Sequence, residues 1–205
     1  MKNVMQGMPR EHISWSQISS LKWSVESYKQ SYIYNKRQDS PYLTLGKAFA
    51  EAMEFRDKKV PKYIDVVRRQ IPDFPEKEVE MKSDVGGIPI LGYYDAMDIK
   101  KGLIVEFKTG QKVSPSWRGQ LTLYSLLYFQ NYNKMPKEIR LYWAKTKKNS
   151  NDQIVFSKDD VREFKFYIPL EEVLLFTVEI RKAYKKIKEL CEYERMQFGS
   201  LPFDK

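Results

Sequence analysis

The chain has 205 residues and one cysteine, Cys191, enough for a single domain over 1–205 with its own apolar core and too few thiols for an internal disulfide. Thirty-six Lys and Arg against 27 Asp and Glu leave a net charge of +9, which argues against an acidic, solvating chain and for a polyanionic partner. No apolar run is long enough to cross a bilayer and the N-terminus lacks the apolar segment of a secretory signal. The expectation is therefore a soluble intracellular protein without a membrane role, cytoplasmic or viral in a host cell.

In chain order, Ser16 is placed to cap a helix in which Ile18, Leu21, Val25 and Tyr28 recur at helical spacing. Asp39-Ser40-Pro41 leads into a second helix with Ala48, Phe49, Ala52 and Met53 as its apolar positions and with Glu51 and Glu54. A helical stretch around Tyr63–Arg69 lies between prolines. Val79–Met81 and Ile88–Leu91 flank Asp84-Val85-Gly86-Gly87 and predict a hairpin; Tyr93–Ile99 and Leu103–Phe107 predict a third and a fourth strand. Ser114-Pro115-Ser116 precedes a helix in which Leu123, Leu126 and Leu127 form an apolar surface. Ile139–Trp143 and the alternating Phe164, Phe166 and Ile168 read as strands, with Lys145–Asp152 a polar loop between them. From Leu170, the spacing of Val173, Thr177, Ile180, Tyr184, Ile187 and Cys191 predicts a long terminal helix.

The chemistry concentrates in Gly92-Tyr93-Tyr94-Asp95 and Val105-Glu106-Phe107-Lys108-Thr109-Gly110. Side chains alternate along a strand, so Glu106 and Lys108 share one face while Phe107 takes the other, and Asp95 can join them from the preceding strand. Charges on an otherwise apolar strand are costly unless paired, and a divalent cation is one such partner. Gln120 and Tyr124, one helical turn apart, share a stripe that can face a bound strand through the amide and the phenol. Two basic sets, Lys145, Lys147 and Lys148 in the loop and Lys182, Lys185 and Lys186 on the terminal helix, are candidates for phosphate contact.

These motifs resemble the PD-(D/E)XK nuclease superfamily in its RecB-like exonuclease branch. The matching features are Gly-x-x-Asp at 92–95, Glu-x-Lys-Thr-Gly at 106–110, Gln-x-x-x-Tyr at 120–124, an opening segment Ile13-Ser14-Trp15-Ser16-Gln17-Ile18, and an acidic Glu80 before the motif hairpin. The resemblance implies an α/β fold with a central mixed β-sheet flanked by helices, a restriction-endonuclease-like core. It also implies Mg²⁺ or Mn²⁺ held by Asp95, Glu106 and the Phe107 backbone carbonyl, with Lys108 orienting water or stabilising developing charge. Two positions depart from the family. Ala50 stands where many members carry a metal-binding histidine, a loss that Glu51 or Glu54 could offset, while the only histidine, His12, lies elsewhere in the sequence. Cys191 is alone and Ser24 occupies the place of the first cluster cysteine, so no iron–sulfur cluster is expected. The implied activity is a metal-dependent DNA nuclease, an exonuclease acting on the ends of single- or double-stranded DNA. The alternative is a catalytically weakened or inactive DNA-binding protein on the same fold.

Overall fold

Runs of β-branched and aromatic residues bounded by turn residues become strands, and the computed structural model has five among its described residues, 5–36 and 39–204 without the side chains at 158 and 159. They are β1 (Glu76–Val85), β2 (Ile88–Asp98), β3 (Leu103–Gly110), β4 (Glu138–Lys148) and β5 (Ile154–Phe166). The strands lie in one sheet in chain order, antiparallel except for β3 and β4, which run parallel. A parallel pair needs a crossover, and helix α5 (Trp117–Tyr132) provides it.

Helices cover both faces of the sheet. On one side lie α1 (Trp15–Trp23), the short α2 (Val25–Tyr28) running into a π-helical turn (Lys29–Ile33), α5 and the 29-residue α6 (Leu170–Phe198). Ile18, Leu127 and Ile180 from these helices pack on Ile90, Tyr94, Ile104 and Leu141 of the sheet. On the other side, α3 (Pro41–Glu54) and α4 (Lys62–Arg68) bury Phe49, Met53 and Ile64 against Val105, Tyr142 and Phe156. Ser40 caps α3 by accepting the Leu43 amide, with Pro41 in the first turn. The expected α/β architecture with a central mixed sheet is the one observed. Among the described residues no helix is long and apolar enough to cross a membrane.

Four local expectations are corrected. Ile88 to Asp98 is one strand rather than two, because Gly92 is not a turn residue. A Cβ there would fall 2.7 Å from Leu127 and 3.2 Å from Tyr124, so glycine lets α5 lie close on the sheet. The first helix breaks at Ser24, which is extended at φ −164° and caps α2 through the Ser27 amide. Ser14, not Ser16, precedes α1, and it makes no capping hydrogen bond. Lys145, Lys147 and Lys148 lie on β4 rather than in a loop, and the connection to β5 is confined to residues 149–153.

β2 and β3 separate. Their ladder holds only for Ala96–Val105, Met97–Ile104 and Asp98–Leu103, whereas β3 and β4 stay paired over all eight residues of β3. Where β3 has left, the edge of β2 is taken by Ile13, whose amide donates to the Pro89 carbonyl (2.8 Å) and whose carbonyl accepts the Leu91 amide (3.0 Å). The N-terminal segment is thus wedged beside the sheet, and a cleft opens between the diverging strands.

The terminal helix is fastened by a buried charge. Glu194 is 1% exposed, receives Lys29 Nζ at 2.7 Å and accepts the Tyr34 hydroxyl. Burial alone would raise its pKa, but the Lys29 and Tyr34 hydrogen bonds outweigh burial and hold it below its usual 4.5. A depressed carboxyl pKa contributes stability that is present above the unfolded value and lost as pH falls through the folded one. Thermal unfolding of Glu194→Gln at pH 7 is expected to show a loss of about 2 kcal/mol, with the gap to wild type closing on acidification below the ordinary carboxylate range. A gap that persists unchanged at low pH would dissociate the effect from the carboxylate charge.

Candidate active site

The cleft has a volume of about 770 Å³ and gathers residues from five parts of the chain. β2 contributes Gly92, Tyr93 and Asp95; β3 contributes Glu106, Phe107, Lys108 and Thr109; α5 contributes Gln120 and Tyr124; the N-terminal segment and α3 close the other sides. Asp95 lies just beyond the last β2–β3 pair, and its carboxylate takes the Phe107 amide at 2.5 Å. A side-chain oxygen thereby replaces the strand partner that the divergence removed, which fixes Asp95 beside Glu106.

Glu106 is 2% exposed, with one oxygen, Oε1, accepting Lys108 Nζ and Gln120 Nε2, the latter at 2.8 Å. The other oxygen, Oε2, is buried without a hydrogen-bond partner. An unpartnered buried carboxylate oxygen is costly, and here it sits beside a second carboxylate. The Asp95 pKa is driven well up, first by burial and then by the Glu106 charge, with Lys108 pulling against both. Burial would lower the Lys108 pKa, yet Glu106 and Asp95 outweigh it and the net direction is upward. Lys108 is therefore a held ammonium in this state rather than a neutral base.

Two carboxylates with one free buried oxygen suit a hard divalent cation, which prefers oxygen ligands and neutralises their repulsion. Among the described residues no three His, Cys, Asp or Glu side chains converge on a metal-sized site, so backbone carbonyl and water would have to complete the shell. Ala50 lines the cleft, and neither glutamate near it does. Glu51 is exposed and paired with Lys58, and Glu54 lies within electrostatic reach of Glu78 on β1. Glu80 is also turned away, binding Lys82 at 2.6 Å and the Tyr93 hydroxyl at 2.6 Å.

Gln120 and Tyr124 reach the site in a way that the helical stripe does not reveal. Gln120 donates to Glu106 and, at 2.7 Å, to the Tyr124 oxygen, while the Tyr124 hydroxyl donates to the Tyr93 carbonyl. Tyr124 is 4% exposed, with its ring 4.7 Å from that of Tyr94. The phenol braces β2 against α5 while still lining the cleft, and Gln120 orients Glu106.

The two lysine sets lie outside the cleft lining. Lys145 pairs with Asp160 at 3.1 Å and Lys148 with Asp152 at 2.8 Å; Lys182 pairs with Glu179 at 3.5 Å and Lys185 with Glu189 at 3.9 Å. Lys186 lines a separate shallow groove between α1 and α6.

The N-terminal wall of the cleft is formed by Ser14, Trp15 and Ser16 of the opening motif segment, with Arg10, His12 and Tyr32, which sequence reasoning did not assign to the site. The correction falls on His12, which lines the same cleft as Asp95 and Glu106. Burial first and Arg10 second hold its pKa below 6.5, which favours the neutral imidazole. No periodicity marks this segment. Its signal in the sequence is the motif resemblance that begins at Ile13, which is fully buried where it bridges to β2. The wall is held in place by Trp15 lying over Gly119: a Cβ there would come within 2.1 Å of the indole. Gly119→Ala is expected to cost about 1–3 kcal/mol in thermal unfolding because a rigid ring must move; unaltered stability would mean that Trp15 is not locked onto α5.

No family model matches the chain, and no curated protein does. Solved structures with a similar fold include a candidate exonuclease from Eubacterium rectale, with a TM-score of 0.62 and 14% identity over 87% of this chain and 81% of that one. SSO0001 is similar with a TM-score of 0.52 and 19% identity, over 84% of this chain and 74% of its own. What is shared is the fold. At these identities the function has to be argued from the cleft.

Proposed function

We propose that this protein is a metal-dependent nuclease that hydrolyses phosphodiester bonds in DNA, of the RecB-like kind that the motifs resemble, working as an exonuclease on DNA ends. The observation that carries the reading is the buried, unpartnered Oε2 of Glu106 beside Asp95, with Lys108 on the same strand face, in a cleft open to a ligand. The similarity of fold to the E. rectale protein, described as a candidate exonuclease, supports nucleolytic chemistry on this scaffold.

Asp95, Glu106 and the Phe107 carbonyl would hold Mg²⁺ or Mn²⁺. The bound ion would supply Lewis acidity at the phosphoryl group and an acidified water. Lys108, held as an ammonium by Glu106 and Asp95 in the metal-free protein, would place a positive charge where negative charge develops on the phosphate. Gln120 fixes one oxygen of Glu106 so that the other stays free, and Tyr124 keeps β2 in register with α5. A net charge of +9 draws the polyanion towards the protein.

The deciding experiment incubates end-labelled linear and circular DNA, single- and double-stranded, with Mg²⁺, Mn²⁺ or chelator, using Glu106→Ala as the control. Cleavage is expected only with a divalent ion, only with wild type, and only on linear substrates. Cutting of circles would replace the exonuclease reading with an endonuclease, and cutting by Glu106→Ala would remove this site from the reaction. Ala50 on the cleft wall, where a histidine ligand is absent, favours a second reading: a DNA-binding protein that does not cut. Tight DNA binding without cleavage under every metal condition would establish that reading instead.

A further inference from the structure

Arg10 and His12 line the catalytic cleft, yet neither side chain makes a hydrogen bond or ion pair among the described residues. Arg10 is exposed. Most arginines elsewhere in the fold are committed: Arg56 to backbone carbonyls, Arg68 to Asp65, Arg118 to Glu172, Arg140 to Glu138 and Arg195 to Asp204. The wall also carries the N-terminus of α1, which is uncapped, since the Ser14 hydroxyl bonds to that of Ser16 at 3.0 Å instead of to a backbone amide. First-turn amides and a guanidinium that find no side-chain acceptor among the described residues, with two hydroxyls, make a concave surface suited to an anion. The same cleft holds the unpartnered buried Oε2 of Glu106, assigned above to the metal, so this anion-binding wall faces the reacting centre of the proposed nuclease across one cavity.

The acidic cluster with Lys108 accounts for one phosphate, the one that reacts. A cleft of about 770 Å³ is near the upper end of the roughly 300–1,000 Å³ of ligand pockets and has room for a second. We propose that Arg10, helped by the amide end of α1, binds the phosphate next to the scissile one and so sets the register of the strand over Asp95 and Glu106. The inference rests on the nucleolytic reading. Arg10 acts as a positioning residue: it grips a part of the substrate that does not react, and its charge contributes to affinity regardless of sequence.

The test uses short single-stranded DNA in which one linkage at a time is a neutral methylphosphonate, cut by wild type, Arg10→Gln and Arg10→Lys. Arg10→Gln is expected to raise KM about tenfold while lowering kcat far less, and to reduce the slope of log affinity against log salt by about one. A methylphosphonate beside the cut should raise KM for wild type by a similar factor and add little in Arg10→Gln, because the two changes remove one contact. Arg10→Lys should recover part of the loss. Wild-type KM in Arg10→Gln, or full additivity of the two changes, overturns the proposal while leaving the nuclease reading intact. Absence of both cleavage and binding by wild type with Mg²⁺ or Mn²⁺ overturns the nuclease reading and the clamp together.

Discussion

Asp95→Asn is expected to abolish cleavage and at the same time stabilise the metal-free protein. The catalytic loss should be on the order of a thousandfold or more, since a neutral amide is a poor ligand for a hard cation whose charge stabilisation is worth several kcal/mol. The stability change has the opposite sign because of where the carboxylate sits. Burial and the neighbouring Glu106 raise the Asp95 pKa well above 3.8, so holding Asp95 ionised opposes folding at neutral pH. That penalty is present above the folded pKa and disappears as pH falls and both states protonate, so the advantage of asparagine should fade in acid. Asparagine retains a carbonyl oxygen that can still accept the Phe107 amide. In chelator at neutral pH, an increase of about 1 kcal/mol, or roughly 2–4 °C in Tm for a chain of this size, is expected. Added Mg²⁺ or Mn²⁺ should then stabilise wild type more than the variant, since only wild type offers both carboxylates. A variant that cuts at the wild-type rate sinks the assignment of Asp95; one that loses both activity and stability makes it a structural residue.

Lys108→Met should likewise lose activity, by about a hundredfold to a thousandfold, because a fixed positive charge facing developing negative charge is removed. Its effect on stability is the reverse of that of Asp95→Asn. The Lys108 side chain is 24% exposed and pairs with the 3%-exposed side chain of Glu106, with Asp95 adding to the attraction. Without the ammonium, two carboxylates face one another uncompensated, and a loss of about 2–4 kcal/mol is expected in chelator. A divalent ion would supply the missing positive charge, so saturating Mg²⁺ or Mn²⁺ should restore much of that loss while cleavage stays impaired. Stability that ignores the metal would show that the carboxylates do not share an ion. Undiminished cleavage would remove Lys108 from the mechanism.

Strand patterning and motif spacing were enough to place Glu106 and Lys108 on one face of β3, because alternation along a strand is a local property. They also placed Asp95 on the neighbouring strand and put α5 after the motif, since connections are short and consecutive strands pair. The three layers follow from apolar residues on both faces of β3, which call for helices on both sides. What local pattern could not supply is the divergence of β2 from β3. That depends on Ile13, some eighty residues away in sequence, occupying the vacated edge. For the same reason His12 and Arg10 read as ordinary residues of an irregular segment until the fold carried them to the cleft. The orientation of Glu51 was equally out of reach: one step along α3 from Ala50, it turns outward to Lys58 instead of replacing the missing histidine. Spacing within an element fixes which side chains share a face. Which faces meet, and which carboxylate oxygen is left without a partner, is decided only when distant segments pack together.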